Sequence, residues 1–274
     1  MVSIASMVSY RERLPRRSLS LRPTLGRFAA VATGLALAVA VWSIVAATEV
    51  FPRALFPTVA DIARAGRSMW ESGDLAPDIL TSVERAVVGF VVGAGAGLLL
   101  ALVTSATAAG RRFLQPVLRL FAPIPTIGLV PLAILWFGLG EGSKITVIAL
   151  GVFVPVWINS HAGLASTPAD FLQASRCIGA SRWQTLSRVI VPEAAPDIVA
   201  GLRVGAAMAF VLIVVAEMTG TTNGLGYRIY QAQLFSQADR LVFCLVLLGI
   251  LGAVSDCLIV RASAPLTRWS EEQR

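Results

Sequence analysis

The side chains able to make or break bonds are few in this sequence of 274 residues, and their spacing supports little chemistry. The one histidine, His161, leaves no credible Ser/His/Asp relay and no Cys/His cluster with metal-ligand spacing. It stands near the end of an apolar run and reads as a satisfied structural residue. No G-x-x-x-x-G-K-[ST] phosphate loop occurs, so nucleotide binding of that kind is excluded. Cys177, Cys244 and Cys257 fall in a polar stretch and in the last apolar run, where a disulfide framework is not expected. What remains is polarity out of place. Asn159, Arg203, Glu217 and Asp256 sit in or beside apolar runs, and residues 170–192, DFLQASRCIGASRWQTLSRVIVP, form a polar, arginine-bearing interruption. Such residues suit a route for a polar solute through lipid better than they suit catalysis.

These residues must be held by apolar elements. Hydrophobic residues make up 56% of the chain and charged ones 14%, with a mean hydropathy of +0.74, which places it outside the soluble class. The expectation is an all-α, polytopic membrane protein with six transmembrane helices. The net charge of +7 lies in short basic segments beside apolar runs without interleaved aromatics, so membrane topology explains it and nucleic acid does not.

The predicted spans are 28–48, 86–109, 120–140, 145–165, 198–217 and 241–260, each near the roughly 20 residues a bilayer core demands. Residues 1–27, rich in Arg and Ser, read as a cytoplasmic tail, 28–262 as the membrane domain, and 263–274 as a second tail. A patch at 58–70 alternates apolar and charged residues at helical spacing and is expected at the outer interface. Gly89, Gly93 and Gly97 recur every four residues, as do Gly201 and Gly205, and form flat strips on which a second helix can lie close. Pro123, Pro125 and Pro131 interrupt the third span, which must therefore face protein or water. Arg203 and Asp256, both near the inner face, are expected to form a buried ion pair. With both termini inside, the cytoplasmic segments hold fifteen Lys and Arg and the outer segments six, in accord with the positive-inside rule. That count puts residues 170–192 in the cytoplasm.

Within that loop, helical spacing runs from Asp170 to Ile178, Gly179 offers a stop, and Ser181 an N-cap for a second helical piece. The loop resembles the E-A-A-x-x-x-G-x(9)-I-x-L-P motif of the permease subunits of bacterial ABC importers. Gln173-Ala174-Ser175, Gly179, Val189, Val191 and Pro192 keep its spacing, with a carboxylate lost at 173. RLFAPIPTIGLVPLAILWFGLGEGSK and VVAEMTG are similar to segments of the nitrate, sulfonate, taurine and bicarbonate branch, and FPTVADIARA matches another in part.

The resemblance implies a type I ABC importer permease fold and a coupling loop at 168–192. It implies ATP and Mg in two cytoplasmic ATPase subunits, none in this chain, and import of a small anion by alternating access. A second permease copy is expected, as a homodimer or a heterodimer, with an extracytoplasmic solute-binding protein. Phe171, Leu172 and Ile178 would anchor the loop on the ATPase, with Arg176 and Arg182 at the rim. The third to fifth spans would line the pathway, bringing in Trp136, Asn159 and Glu217. An ion-coupled secondary transporter is the alternative. It would need intramembrane acids along the spans and commonly an inverted repeat.

Overall fold

The computed structural model describes residues 24–48, 50 and 52–271. The basic segment expected at 1–27 lies almost wholly outside them, and the tail expected at 263–274 lies partly outside. The chain divides into two units, Met1–Val50 and Phe51–Arg274. In the first, α1 (Thr24–Ala47) is a single apolar helix.

The second unit contains the other helices. α2 (Val59–Glu71) occupies the predicted interfacial patch and is closed by a capping box between Thr58 and Asp61. α3 (Leu75–Ala106) starts eleven residues before the predicted second span and carries Asp78, Ser82 and Arg85 in its added turns. A π-helical turn (Gly110–Leu114) leads into α4 (Gln115–Phe121), and a 3-10 turn (Thr126–Leu129) into α5 (Val130–Phe137). α6 (Glu141–Ala165) follows, then α7 (Ala169–Cys177), α8 (Arg182–Thr185), a π-helical turn (Leu186–Ile190) and α9 (Val191–Glu193). α10 (Ala195–Met218), α11 (Leu225–Leu234) and α12 (Ala238–Glu271) complete it.

Among the described residues five helices are long and apolar enough to cross a membrane, and a sixth crossing results if the pair Gly110–Phe121 and Thr126–Phe137, bent by 88°, counts as one span. The third span expected at 120–140 is therefore not one helix. Pro123 and Pro125 each remove a backbone donor and disfavour helical geometry in the residue before them, so the chain turns between Phe121 and Thr126.

α6 lies between α3 and α10. A Cβ at Gly89 would come 2.5 Å from Ile148, one at Gly97 3.0 Å from Phe153 O, and one at Gly93 would overlap Ala149 O. From α10, a Cβ at Gly201 would come 2.9 Å from Asn159, and one at Gly205 2.9 Å from Val156. Close approach builds the core from backbone and small side chains, with Val147, Ile148, Val152 and Val156 of α6 packed against Leu212 and Ile213 of α10.

Candidate functional site

Three arrangements bear on function: the loop after α6, a groove beside the broken span, and a buried polar cluster at the opposite end of the helices.

The loop is built by local hydrogen bonding. After α7, Gly179 N–H donates to Arg176 O at 3.0 Å and Ala180 N–H to Ser175 O at 3.0 Å, the two bonds of a Schellman motif. Gly179 sits at the position that needs left-handed backbone, with φ +71°. Ser181 then caps α8, its Oγ accepting from Gln184 N–H while its own N–H donates to Gln184 Oε1 at 2.8 Å. Thr185 Oγ1 lies 3.3 Å from Ser175 Oγ and ties the two limbs together. The backbone therefore holds a fixed bend without help from a partner.

Side chains divide across that bend. Ser175 is buried, Leu172 and Pro192 are half-buried, and Gln173, Ala174, Arg176 and Arg182 are exposed. Phe171, Ile178 and Trp183 are exposed at 47%, 83% and 72%, three large apolar groups on a polar loop outside the spans. Leu172 turns toward the helix ends, where it lines a cleft with Trp157 and Ile190. Trp183 escaped the motif comparison because it occupies one of the motif's unspecified positions, but an exposed indole in a polar stretch was a readable signal.

The residues expected along the pathway are not brought together. Asn159 lines a groove of about 450 Å³ between the Ala122–Thr126 turn, α6 and α10, together with Thr126, Pro155, Val204 and Met208. Its Nδ2 donates to Pro155 O at 2.8 Å. Trp136 lies on α5, 67% exposed. Glu217 is fully buried at the far end of α10.

Glu217 belongs to the third arrangement. It accepts from Ser82 Oγ at 2.8 Å, Gly226 N–H at 2.9 Å and Arg85 Nη1 at 2.8 Å. Arg85 also donates from Nε and Nη2 to Glu141, both at 2.7 Å, and from Nη2 to Asn223 Oδ1 at 2.8 Å. Lys144 Nζ reaches Glu141 at 2.9 Å. Asp78 accepts from Gly224 N–H at 2.7 Å and pairs with Arg228. Each carboxylate of the cluster thus has a cationic partner, and the loop between α10 and α11 is bound through its backbone to α3. Gly224, with φ +103°, leaves room for the Glu217 carboxylate, which a Cβ would approach to 2.5 Å. Arg85 lies one residue before the predicted second span, in the turns by which α3 extends beyond it.

Arg203 Nε and Asp256 Oδ1 pair at 2.6 Å, as their positions suggested, but the expected burial is corrected: their side chains are 48% and 40% exposed. α10 and α12 meet there on an outer flank of the bundle. Among the described residues no group of His, Cys, Asp and Glu is placed to hold a metal ion.

The described residues form an all-helical bundle whose long apolar helices mark a multi-pass membrane protein. Residues 93–267 match the family model for binding-protein-dependent transport system inner membrane components, and the chain belongs to that family. It is 32% identical over 234 residues to a putative aliphatic sulfonates transport permease protein of Bacillus subtilis, covering 85% of each chain. It is 29% identical over 267 residues to the taurine transport system permease protein of Escherichia coli, covering 95% of this chain and 97% of that one. Among solved structures, a chain of the MetNI methionine ABC transporter in an inward-facing form superposes with a TM-score of 0.59 at 22% identity, covering 70% of this chain and 96% of that one. That likeness is one of fold.

Proposed function

We propose that this permease is one half of the membrane pore of an ATP-driven importer, and that the loop at 168–192 couples it to two cytoplasmic ATPase subunits. The observation that carries the reading is the display of Phe171, Ile178 and Trp183 on a loop whose bend is fixed by its own hydrogen bonds. Apolar groups of that size in water favour a partner surface that covers them, and a few such anchors dominate small interfaces. Arg176 and Arg182, exposed beside them, supply the rim.

ATP and Mg belong to the ATPase subunits, whose closure moves the loop and turns the spans outward by differential contact with the two states. A second copy of this chain completes the pore, and an extracytoplasmic binding protein delivers the solute. The solute is a small oxyanion of the sulfonate class, in line with the named substrates of the relatives. Both termini lie in the cytoplasm, which the distribution of Lys and Arg supports.

The test is Gly179→Leu in the reconstituted complex. A side chain at φ +71° strains the bend, so uptake and solute-stimulated ATPase should fall together while the complex still assembles. Intact coupling in that variant defeats the proposal. Orientation is tested separately with a variant retaining only Cys177, which is exposed on the loop. An impermeant maleimide should label it from the cytoplasmic side and not from outside.

A further inference from the structure

A cleft of about 860 Å³ opens where α4, the end of α6 and the loop meet. Arg111, Gln115 and Arg119 line one wall, His161 and Thr167 another, and Leu172 of α7 the third. None of the residues lining it is a carboxylate. Among the described residues the Arg119 side chain makes no hydrogen bond or ion pair, and the only such bond of the Arg111 side chain is to Ser105 O at 3.3 Å. The His161 ring lines the same cleft as both arginines. That ring is held in place by Thr104 Oγ1, 3.0 Å from Nδ1, and by stacking on Trp157 with centroids 6.0 Å apart. Thr167 Oγ1 is buried at the same wall and has no partner there.

Basic residues at the inner end of spans are ordinary, and topology alone explains them. Topology does not explain why two arginines share one concavity with a buried, unpartnered hydroxyl and no acid. Both arginines are exposed at the mouth of the cleft, and an anion seated between them would offset the repulsion of the two like charges. The planar guanidinium fits tetrahedral and planar oxyanions with paired hydrogen bonds.

We infer that this cleft is an oxyanion site, taking a sulfonate- or phosphate-type group carried either by a free solute or by the headgroup of an anionic lipid. Basic cavities between helices on the cytoplasmic side suit lipid headgroups, and a free sulfonate presents the same oxygens. An occupant would bridge α4 and α7, so occupancy would bear on the position of the coupling loop through Leu172. The inference rests on the proposed cytoplasmic placement of this end of the helices.

The experiment uses the full chain in phosphatidylcholine nanodiscs, with phosphatidylglycerol added in one arm and methanesulfonate or inorganic phosphate titrated in the others. Retained lipid is read by native mass spectrometry and soluble anions by calorimetry. Retention of phosphatidylglycerol alone assigns the headgroup, and binding of methanesulfonate or phosphate assigns a soluble anion. The double variant Arg111→Gln/Arg119→Gln should weaken that binding about tenfold or more. Arg112→Gln should leave it unchanged, because that guanidinium lies over the Phe113 ring at 5.9 Å and does not line the cleft. If the double variant is not monodisperse, Arg119→Gln alone and the charge-conserving Arg111→Lys/Arg119→Lys decide, with the first expected to weaken binding and the second to weaken it less than the glutamine pair, since the charge stays while the paired hydrogen bonds are lost. Equal binding by wild type and either glutamine variant, or no anion bound in any arm, overturns the inference. Labelling of Cys177 from outside would instead overturn the placement and leave the binding result standing.

Discussion

Arg85→Met tests the buried cluster most sharply. The arginine side chain is 6% exposed and Glu217 is 0% exposed, so removing the guanidinium strands a carboxylate away from water. Arg85 donates to Glu141, Glu217 and Asn223, and counting each charged hydrogen bond at about 1.5–3 kcal/mol would overstate the loss. Glu141 is 54% exposed and keeps Lys144, so its share is screened and partly replaced. Glu217 keeps Ser82 and Gly226 but loses its cation, and breaking a buried pair in this way costs about 3–5 kcal/mol. At roughly 2–4 °C per kcal/mol for a chain of this order of size, thermal unfolding in detergent should fall by about 10 °C. Arg85→Met/Glu217→Gln should recover about 2 kcal/mol of the loss, because no uncompensated charge then remains. A single variant within about 1 kcal/mol of wild type, or a double variant as poor as the sum of the singles, would refute the assignment of Arg85 as the counter-charge of Glu217.

Gly93→Ala and Gly95→Ala form a matched pair. A Cβ at Gly93 overlaps the α6 backbone at Ala149, whereas one at Gly95 meets nothing within 4 Å, so only the first should destabilise, by about 1–3 kcal/mol in the same assay. At α2, the Thr58 hydroxyl and N–H bind the Asp61 carboxylate and hold its pKa below the ordinary value. A depressed carboxylate pKa contributes stability that is present above the unfolded value and lost as pH falls through the folded one. Circular dichroism of the wild type should therefore show a helical loss below the ordinary Asp range that Asp61→Asn lacks.

The helices themselves were legible because a hydrocarbon solvent leaves few alternatives: long uncharged runs must be helical, and their length follows from the bilayer. The turn at Gly179 and the cap at Ser181 were equally legible, since each needs one residue type at one position. Errors fell where charge and helix coincide. Asp78, Glu84 and Arg85 precede the predicted span 86–109, and Arg85 crosses to Glu141 and Glu217, partners 56 and 132 residues away that no local pattern reveals. Acids do lie at the helix ends, and their cationic partners explain them without a carried proton. The break in the third span was visible as prolines, but its angle depends on α6 and α10, against which the turn packs.

The broken span also constrains how the chain enters the membrane. Gly110–Phe121 and Thr126–Phe137 are twelve residues each, roughly 18 Å of helix apiece, and neither alone covers a hydrocarbon core of about 30 Å. The backbone donors and acceptors freed at the bend have no partners in lipid. During synthesis this segment cannot wait in the bilayer as a finished hairpin with α3. It must stay near the translocon or the surface until α6, and then α10, supply the wall against which it settles.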